Sequence, residues 1–297
     1  MHLDRDPDSL NNQNIAVLIT CYNRVEITIK CLQYLYNLDI PENFIIDIYL
    51  VDDNSPDNTG QKVKELFPQV HLIYGTGSLY WNGGMRLAWN TAAKNLDYDF
   101  YFWLNDDVIL DKDSLKELLD CYEESYKRIN IPAIITGACR SHPTLLEFSY
   151  GGRNETEPVI PNGQIQKCTY INGNAVIVPR SIFKVISSLS PDYTHALGDF
   201  DYGIRAIKAG FVCYTTKKYI AYCEINASPK WSLSSTPIFK RFKLLYSVKG
   251  LNMREYLCYQ RRVVGWKWIL FLIKAYLKAL SPSFYNKASL IILKFKK

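Results

Sequence analysis

The eight cysteines of the sequence include no C-x-x-C pair, so the spacing of common zinc sites and dithiol redox sites is missing. We expect them to be reduced thiols of a cytosolic protein, several of them packed in strands. The chain has 297 residues with 48% hydrophobic and 22% charged content. That balance indicates one large globular domain, or one domain with an appendage, and not a disordered protein.

Two common nucleotide-binding motifs are also missing. No Walker A sequence occurs, and Gly75 and Gly77 lack the rest of a dinucleotide fingerprint. A signal peptide is not indicated either, because the polar leader at residues 1–14 has neither the basic segment nor the apolar core of one. We therefore expect a cytoplasmic protein that is neither a P-loop NTPase nor a dinucleotide-dependent dehydrogenase.

Acidic residues are scarce in one part of the chain. From Pro237 onward the sequence has 14 Lys and Arg against one acid, Glu255. This C-terminal tail, residues 237–297, carries a net charge of +13, which leaves −7 of the total of +6 for the preceding residues. Opposite charges in two parts of a chain predict that the basic part meets an anionic surface, either membrane phospholipid or nucleic acid.

The tail also lacks an uninterrupted apolar run that could span a bilayer. Its most apolar stretch, residues 263–280, contains Lys267, Lys274 and Lys278. We interpret it as amphipathic helices lying in the interface of an anionic membrane. The alternative is a helical subdomain that packs on the rest of the chain or on a second subunit, as in a homodimer. No recognised nucleic-acid-binding module accompanies the charge, so no nucleic-acid partner is expected.

The body of the chain, residues 15–230, alternates apolar runs with helix-like stretches. This rhythm predicts an α/β fold with a doubly wound, mostly parallel sheet. Ser55 is expected to cap a helix beginning at Pro56, and Ser114 with Glu117 forms a capping-box pattern. The predicted strands are 15–20, 44–51, 70–74, 100–104 and 175–178, and the predicted helices are 25–38, 83–96, 180–188 and 198–209.

Polar loops follow three of the predicted strands, at residues 20–24, 52–55 and 105–107. Ligands of an open parallel sheet bind beyond the carboxyl ends of its strands, so these loops are predicted to meet at one site. Two of the loops place carboxylates side by side, which requires a cation or hydrogen-bond donors as compensation. For Asp52 and Asp53 the alternative role is turn and helix-cap chemistry.

Five segments of the body occur in the order of a known enzyme family. They are IAVLITCYNR, YLVDDNSPDNT, WNGGMRLAWNTA, WLNDDV and GDFDYGIRAIKAGF. Together they resemble the inverting family-2 glycosyltransferases of the GT-A fold, including bacterial rhamnosyltransferase-like members. The resemblance runs from about Ile15 to Tyr222. It implies a GT-A-like catalytic domain over residues 15–230, followed by the basic amphipathic helical tail.

The resemblance implies where a nucleotide diphosphate sugar binds. The loop after the first strand, with Asp52 or Asp53, would hold the nucleobase and ribose, and two glycines would let the backbone approach the donor. Asp107 would bind Mn²⁺ or Mg²⁺ where the family has its D-x-D site, although Asn105 replaces the first acid. The implied donor-binding residues are Thr20, Tyr22, Arg24, Asp52, Asp53, Gly83, Gly84 and Asp106.

The resemblance also implies a general base. The family usually has Glu-Asp at the start of a late helix, and this chain has Gly198 and Asp199 there. Asp199 would remove the proton of the acceptor hydroxyl while the sugar is attacked from the face opposite the leaving group. A helix cap is the alternative role for Asp199. Candidate contacts of the acceptor or the diphosphate are Trp81, His195 and Asp201.

One further family feature is altered in this chain. In the family, a His near the end of the catalytic domain often completes the metal site. This chain has Tyr222, Cys223 and Glu224 in that region, where Glu224 is either a metal ligand or, alternatively, a solvated surface acid. The expected function is metal-dependent, inverting sugar transfer to a hydroxyl of a lipid-linked glycan at the inner face of the cell membrane, in surface-polysaccharide assembly.

Two rival functions differ from this one in the features they require. A sugar-nucleotide pyrophosphorylase would need a Gly-rich basic loop after the first strand, which residues 21–24 do not provide. A non-catalytic nucleotide-sugar binder or assembly scaffold is favoured by Asn105 and Gly198, which stand where the family has acids. A scaffold would bind the donor without hydrolysing it or transferring its sugar.

Overall fold

The computed structural model describes residues 12–155 and 157–287 of the chain. The polar leader expected at residues 1–14 lies outside them except for its last three residues, and so do the last ten residues of the tail. The strands are β1 (Gln13–Cys21), β2 (Phe44–Asp52), β3 (His71–Tyr74), β4 (Phe100–Leu104), β5 (Ile109–Leu110), β6 (Ala133–Arg140), β7 (Phe148–Tyr150), β8 (Arg153–Asn154), β9 (Glu157–Pro158), β10 (Gln166–Lys167), β11 (Ala175–Pro179) and β12 (Val212–Tyr222). The α-helices are α1 (Val25–Tyr36), α2 (Thr59–Leu66), α3 (Tyr80–Asn95), α4 (Ser114–Ile129), α5 (Arg180–Ile186), α6 (Gly198–Lys208), α7 (Ile238–Leu245), α8 (Met253–Val264) and α9 (Trp268–Leu280).

One large sheet organises the body of the chain. Its order is β10-β12-β6-β11-β4-β1-β2-β3, with β5 added to β12 and β7 added to β6. The four strands β3, β2, β1 and β4 run parallel to one another, so the carboxyl ends of β1, β2 and β4 lie at one edge. Strand β11 runs antiparallel between β4 and β6, and β12 is parallel to β6. The predicted α/β fold with a mostly parallel, helix-covered sheet is confirmed.

Helices cover both faces of the sheet because its central strands are apolar on both sides. In β1, Ile15, Val17 and Ile19 pack with α1 and α4, and the alternate residues Ala16 and Leu18 pack with α3 and α6. All five side chains are fully buried. Successive residues of a strand point to opposite faces, so this continuous apolar run is what a strand covered on both sides requires.

The second helix begins three residues later than the sequence predicts. It starts at Thr59 and not at Pro56, with Asn58 in a left-handed conformation before it. The backbone N–H of Thr59 donates to Asp57 Oδ1 at 3.1 Å. Ser55 instead accepts the backbone N–H of Asn23 at 2.9 Å and so joins the loops that follow β1 and β2.

The capping box predicted for α4 does not form either. Ser114 is the first residue of the helix, and its hydroxyl donates to the carbonyls of Asp111 and Ile220, each at 2.5 Å. Glu117 accepts the backbone N–H of Lys217 at 3.0 Å. Both side chains therefore attach α4 to β12, and this long-range pairing replaces the local capping pattern.

The three helices of the tail pack together and on the body. Their small core contains Leu245, Met253, Ala275 and Ala279. Helix α8 contributes Glu255 and Arg262 to contacts with the body, which are described below. Of the residues described, no helix is both long enough and apolar enough to cross a membrane.

Gly84 is required for the packing of α3 against β1. A Cβ at this position would lie 2.1 Å from Thr20 Oγ1 and 2.8 Å from Thr20 Cβ. We expect Gly84→Ala to lower the free energy of unfolding by about 1–3 kcal/mol, because the helix must shift away from the strand. Urea unfolding of the purified protein measures this change.

Gly83→Ala is the matched control in the same turn of α3. Its Cβ would meet Leu79 Cβ at 3.3 Å, a contact that a small adjustment relieves. An alanine also stabilises a helix by roughly 0.5–1 kcal/mol relative to glycine. We expect this variant to be as stable as the parent or more so. Equal destabilisation by both substitutions would contradict the packing role of Gly84.

Candidate active site

An arginine joins the two loops that were predicted to meet at the edge of the sheet. Arg24 follows β1, and its Nη1 lies 3.0 Å from Asp106 Oδ1 and 3.0 Å from Asp107 Oδ2, in the loop after β4. Since β1 and β4 are neighbouring parallel strands, the loops after them are brought together by the fold. The guanidinium supplies the positive charge that two adjacent carboxylates require.

The two carboxylates differ in their surroundings. Asp106 is buried and also accepts the hydroxyl of Thr28 at 3.3 Å. The pKa of Asp106 is raised to about 7, because burial and the negative charge of Asp107 outweigh the opposing effect of Arg24. The Asp107 side chain is 30% exposed and lies at the open side of the pair. Asp107 is therefore the carboxylate that a ligand from solvent reaches first.

Behind Asp107 lies Cys223, a residue that sequence reasoning did not select. Its Sγ lies 3.9 Å from Asp107 Oδ1 and accepts the side-chain amide of Asn174 at 3.3 Å. Glu224, the candidate from the sequence, is exposed and accepts the hydroxyl of Tyr222 at 2.7 Å. The signal that could have found Cys223 is its position, since it stands in the region where the resembling family often has a His.

Asn105 takes part in a polar chain with its neighbours and does not pair with Arg24. Its Oδ1 accepts the indole N–H of Trp81 at 2.6 Å, and its Nδ2 donates to Asn174 Oδ1 at 2.6 Å. An amide can donate and accept at once, whereas an ionised carboxylate only accepts. Asn105, which stands in place of the first family acid, thus joins Trp81 to Asn174 through its side-chain amide.

Asp52 and Asp53 hold the loops of the site through backbone amides. Asp52 accepts the N–H groups of Ser55 and Gly60, both at 3.0 Å. Asp53 accepts three N–H groups of the loop at residues 77–80, at 2.8, 2.8 and 3.0 Å. Each residue is 3% exposed. These contacts match the turn chemistry given above as the alternative, and direct contact with a donor stays a prediction for both.

The other predicted donor residues lie around the same edge. Thr20 is buried against Gly84, which serves helix packing in this structure, and Gly83 is buried in the same turn of α3. Tyr22 is 45% exposed, and the Nζ of Lys249 lies 5.9 Å from its ring centroid. Tyr22 and Arg24, like Asn23 between them, are exposed members of the first loop.

Asp199 lies at the first turn of α6. Its Oδ1 accepts the N–H of Phe200 at 2.8 Å and its Oδ2 accepts the N–H of Gly173 at 3.0 Å. Burial raises the pKa of Asp199 to about 6, and the backbone hydrogen bonds oppose that shift. An acid with this pKa is ionised at neutral pH and close to the range suited to proton transfer. The helix-cap role and the base role are therefore compatible in one side chain.

Gly198 has a structural reason for replacing the family acid before Asp199. A Cβ on Gly198 would lie 1.7 Å from Asn82 Oδ1. Asn82 is fully buried and donates to the carbonyls of Ser190 and Tyr193, at 2.9 and 2.6 Å. No side chain fits at position 198 beside Asn82, so the local packing determines the loss of that acid.

Gly173 connects the two halves of the site. Its backbone donates to Asp199, and a Cβ at this position would lie 2.3 Å from the Trp81 ring. Since Trp81 also donates to Asn105, the ring lies between the loop that carries Asp106 and the start of α6. The structure therefore brings Trp81 close to both proposed centres of chemistry.

Asp201 is enclosed by its own contacts. It is 2% exposed and accepts the hydroxyl of Tyr193 at 3.0 Å, Arg205 Nε at 2.8 Å and Arg262 Nη1 at 3.1 Å. Three side-chain donors, two of them cationic, therefore enclose its two oxygens and close them to solvent. A contact between Asp201 and the acceptor or the diphosphate has no support in this geometry.

His195 lies at the mouth of the site. It is exposed, and its ring centroid lies 5.9 Å from that of Tyr80. Partial burial of the ring lowers the pKa of His195, and the positive charges of Lys249 and Arg24 lower it too, against the opposing effect of Glu255. The imidazole therefore has two cationic neighbours that come from distant parts of the chain.

The family model of Glycosyl transferase family 2 matches residues 16–181 of the chain. This match covers more than half of the sequence and includes the loops after β1, β2 and β4. The chain belongs to glycosyl transferase family 2, and the resemblance stated from its motifs is confirmed.

A curated relative supports the same family. It is the dolichyl N-acetyl-alpha-D-glucosaminyl phosphate 3-beta-D-2,3-diacetamido-2,3-dideoxy-beta-D-glucuronosyltransferase of Methanococcus voltae. The two sequences are 24% identical over 243 residues, which make up 80% of this chain and 74% of the relative. This likeness supports glycosyl transfer as the general activity.

Solved structures share the fold. The mannosyltransferase PcManGT from Pyrobaculum calidifontis, in complex with GDP-Man and Mn²⁺, has a TM-score of 0.55 at 13% identity, over 97% of this chain and 86% of that one. S. aureus TarS 1-349 in complex with UDP-GlcNAc has a TM-score of 0.50 at 14% identity, over 82% and 67%. The chain spans 37% of a longer TarS structure. At these identities the likeness establishes the GT-A-like fold alone.

Proposed function

We propose that this protein is an inverting glycosyltransferase that moves a sugar from a nucleoside diphosphate to a hydroxyl of a glycan. The observation that carries the proposal is the placement of Asp199, a carboxyl with a raised pKa, relative to the carboxylate pair Asp106 and Asp107. Asp199 binds Gly173, which packs against the Trp81 ring, and Trp81 donates to Asn105 beside the pair. The family match supports the reaction class, and the position of Asp199 supports its proposed role as the base.

The proposed step uses Asp199 on the acceptor. Its carboxylate takes the proton of the acceptor hydroxyl as that oxygen forms a bond to C1 of the sugar. The bond from C1 to the phosphate oxygen breaks, and the nucleoside diphosphate leaves with the electron pair. Attack from the face opposite the leaving group inverts the configuration at C1.

The proposed cofactor is Mn²⁺ or Mg²⁺, with Asp107 as its protein ligand. Among the described residues no group of three or more His, Cys, Asp or Glu is arranged to hold a metal. The fit is to a cation held by one or two carboxylates together with substrate phosphates, which is common for Mg²⁺. Such a cation would stabilise the negative charge that grows on the leaving diphosphate. Arg24 stays close to the same charge and holds Asp107 in place.

We propose a lipid-linked glycan as the acceptor. The named activity of the Methanococcus voltae relative is directed at a dolichyl phosphate sugar, and the proposal transfers that class of acceptor to this chain. The named ligands of the similar structures, GDP-Man and UDP-GlcNAc, support a nucleotide diphosphate sugar as the donor. Assembly of surface polysaccharide is the setting that we propose for such an enzyme.

A panel of nucleotide sugars tests the activity. Each sugar is added with and without Mn²⁺ while the thermal unfolding of the full chain is measured. A ligand that binds only the folded state stabilises it by about 2.7 kcal/mol at a hundredfold excess over its dissociation constant. The donor found in this way is then tested for hydrolysis and for sugar transfer. Binding with neither reaction would favour the non-catalytic scaffold instead.

The outer face of α9 supports a location at the membrane surface. Ile269, Leu270, Ile273, Leu277 and Leu280 are each about half exposed, at 49 to 52%. They follow a helical spacing, so they form one apolar face, and lysines of the same helix border it. Helix α8 packs on the body while this face of α9 stays open. We propose that the inner, anionic face of the cell membrane covers it and makes the enzyme peripheral.

Vesicle co-sedimentation checks the membrane proposal. We expect the full chain to sediment more with vesicles of phosphatidylglycerol and phosphatidylcholine than with phosphatidylcholine alone, because each Lys or Arg near an anionic surface contributes about 1 kcal/mol. Ile273→Ser with Leu277→Ser should weaken the interaction. The control pair Ile27→Ser with Leu66→Ser, at exposed positions of α1 and α2, should leave it unchanged. Equal sedimentation with both kinds of vesicle at low salt would contradict the proposal.

A further inference from the structure

The tail places a lysine over the loop that follows β1. Lys249 lies between α7 and α8, and its Nζ is 5.9 Å from the ring centroid of Tyr22. Tyr22 is two residues before Arg24, which binds the carboxylate pair. The loop at the mouth of the site therefore has one cation from the body and one from the tail.

The segment that carries His195 is attached to the same part of the tail. The backbone N–H and the hydroxyl of Thr194 both donate to the carboxylate of Glu255 in α8, at 3.0 and 2.5 Å. On the other side, the ring of His195 lies against Tyr80. These contacts hold the imidazole beside the loop between α7 and α8, and Lys249 is close enough to lower its pKa.

The local charges leave Lys249 available to a ligand. Arg24 is matched by two carboxylates, and both oxygens of Glu255 are used by Thr194. Within residues 12–155 and 157–287 no carboxylate lies within 4.0 Å of Lys249, which is exposed. An exposed ammonium over the Tyr22 ring, whose charge also acts on the imidazole of His195, is suited to an anion with several acceptor oxygens.

We infer that Lys249 and His195 form a phosphate-binding pair at the mouth of the site, supplied jointly by the tail and the body. The inference rests on the proposed function and adds to it Lys249, a residue of the tail that the sequence motifs do not include. The phosphate has two possible sources in the proposed reaction. One is the diphosphate of the donor, and the other is the phosphate that links the acceptor sugar to its lipid.

The pair is tested by titrating the full chain with inorganic phosphate and measuring binding by ³¹P NMR. We expect Lys249→Gln to weaken phosphate binding about tenfold, the effect of losing one hydrogen bond to a charged group. The matched control is Lys243→Gln, which removes the same charge from an exposed position of α7. It should bind phosphate as the parent does. His195→Gln should weaken binding in the same direction as Lys249→Gln.

A second titration separates the two sources of phosphate. It is repeated with the nucleoside diphosphate of the identified donor at saturation. If the nucleoside diphosphate displaces inorganic phosphate, the pair binds the donor; if phosphate still binds, the pair serves the acceptor. Both outcomes support a phosphate site at Lys249.

Two other outcomes have separate meanings. Equal affinity of the parent, Lys249→Gln and Lys243→Gln for phosphate would overturn the inference, as would an absence of binding to the parent. If phosphate binds in a Lys249-dependent way but no sugar is transferred to any acceptor, the proposed function fails and the phosphate site stands.

Discussion

Replacement of Asp199 by Asn is expected to lower the rate of sugar transfer by roughly 10²- to 10⁴-fold, the usual contribution of general-base catalysis. An amide cannot take the proton of the acceptor hydroxyl. It does keep a carbonyl oxygen for one of the backbone N–H groups that Asp199 now binds. Donor affinity should stay unchanged, because the proposed donor and metal residues lie in other loops of the site.

The pH dependence gives this prediction a second readout. Burial raises the pKa of Asp199 to about 6, so the carboxylate becomes protonated as the pH falls through that value. Transfer by the parent should therefore fall below about pH 6 and be sustained above it. The residual activity of Asp199→Asn should not show this step, because the variant has no carboxylate at the position.

A surface variant controls for the loss of one negative charge. Asp113 precedes α4 and pairs with Lys218 on the exposed surface, where ion pairs contribute little to stability. Asp113→Asn should transfer sugar at the rate of the parent. If Asp199→Asn folds correctly and does the same, Asp199 is a helix cap and the base must be sought elsewhere.

The second large effect is expected for Asp107→Asn, which should abolish metal-dependent donor binding. Asp107 is the more exposed carboxylate of the pair, and divalent cations of this kind prefer charged oxygen ligands. Calorimetry with the identified donor should show an affinity that Mn²⁺ increases for the parent and leaves unchanged for the variant. Arg24 keeps its contact with Asp106, so the loops should stay in place.

Asp120→Asn is the matched control for this measurement. Asp120 is exposed on α4 and pairs with Lys116 at 2.7 Å, away from the edge of the sheet. Its substitution removes one negative charge but should keep the effect of Mn²⁺ on donor affinity. Should Asp107→Asn bind donor and Mn²⁺ as well as the parent, the metal assignment is wrong.

The sequence predicted the edge of the sheet at which the site lies, because the apolar strands and the polar loops that follow them are visible in the local sequence. The loops after β1 and β4 do meet, and Arg24 joins them. The apolar runs identified β1 to β4 and β11 to within two residues, whereas β6 and β12 of the same sheet were not predicted. Helix starts were less predictable, since Ser55 and Ser114 both use their hydroxyls in contacts with distant segments.

Contacts between distant segments also explain what the sequence could not reveal about the site. Cys223 reaches Asp107 only because β12 lies on the far side of β6 and β11 from β4 and ends at the same edge. The clash that excludes a side chain at Gly198 depends on Asn82, which is 116 positions earlier in the numbering. Lys249 appeared in the sequence as one of 14 basic residues of the tail, and only the fold brings it over Tyr22.

Asp201 links the fate of the tail to that of the catalytic helix. It is shared by Arg205 of its own helix, α6, and Arg262 of α8, and its side chain is 3% exposed. Loss of α8 would leave this enclosed carboxylate with one cation and an opening to water, two residues from Asp199. We therefore expect the tail and the body to unfold together, without a separate transition at residues 230–237. If the proposed membrane contact holds the tail, it would then stabilise the same folded unit that carries Asp199, and anchoring and catalysis would be thermodynamically coupled.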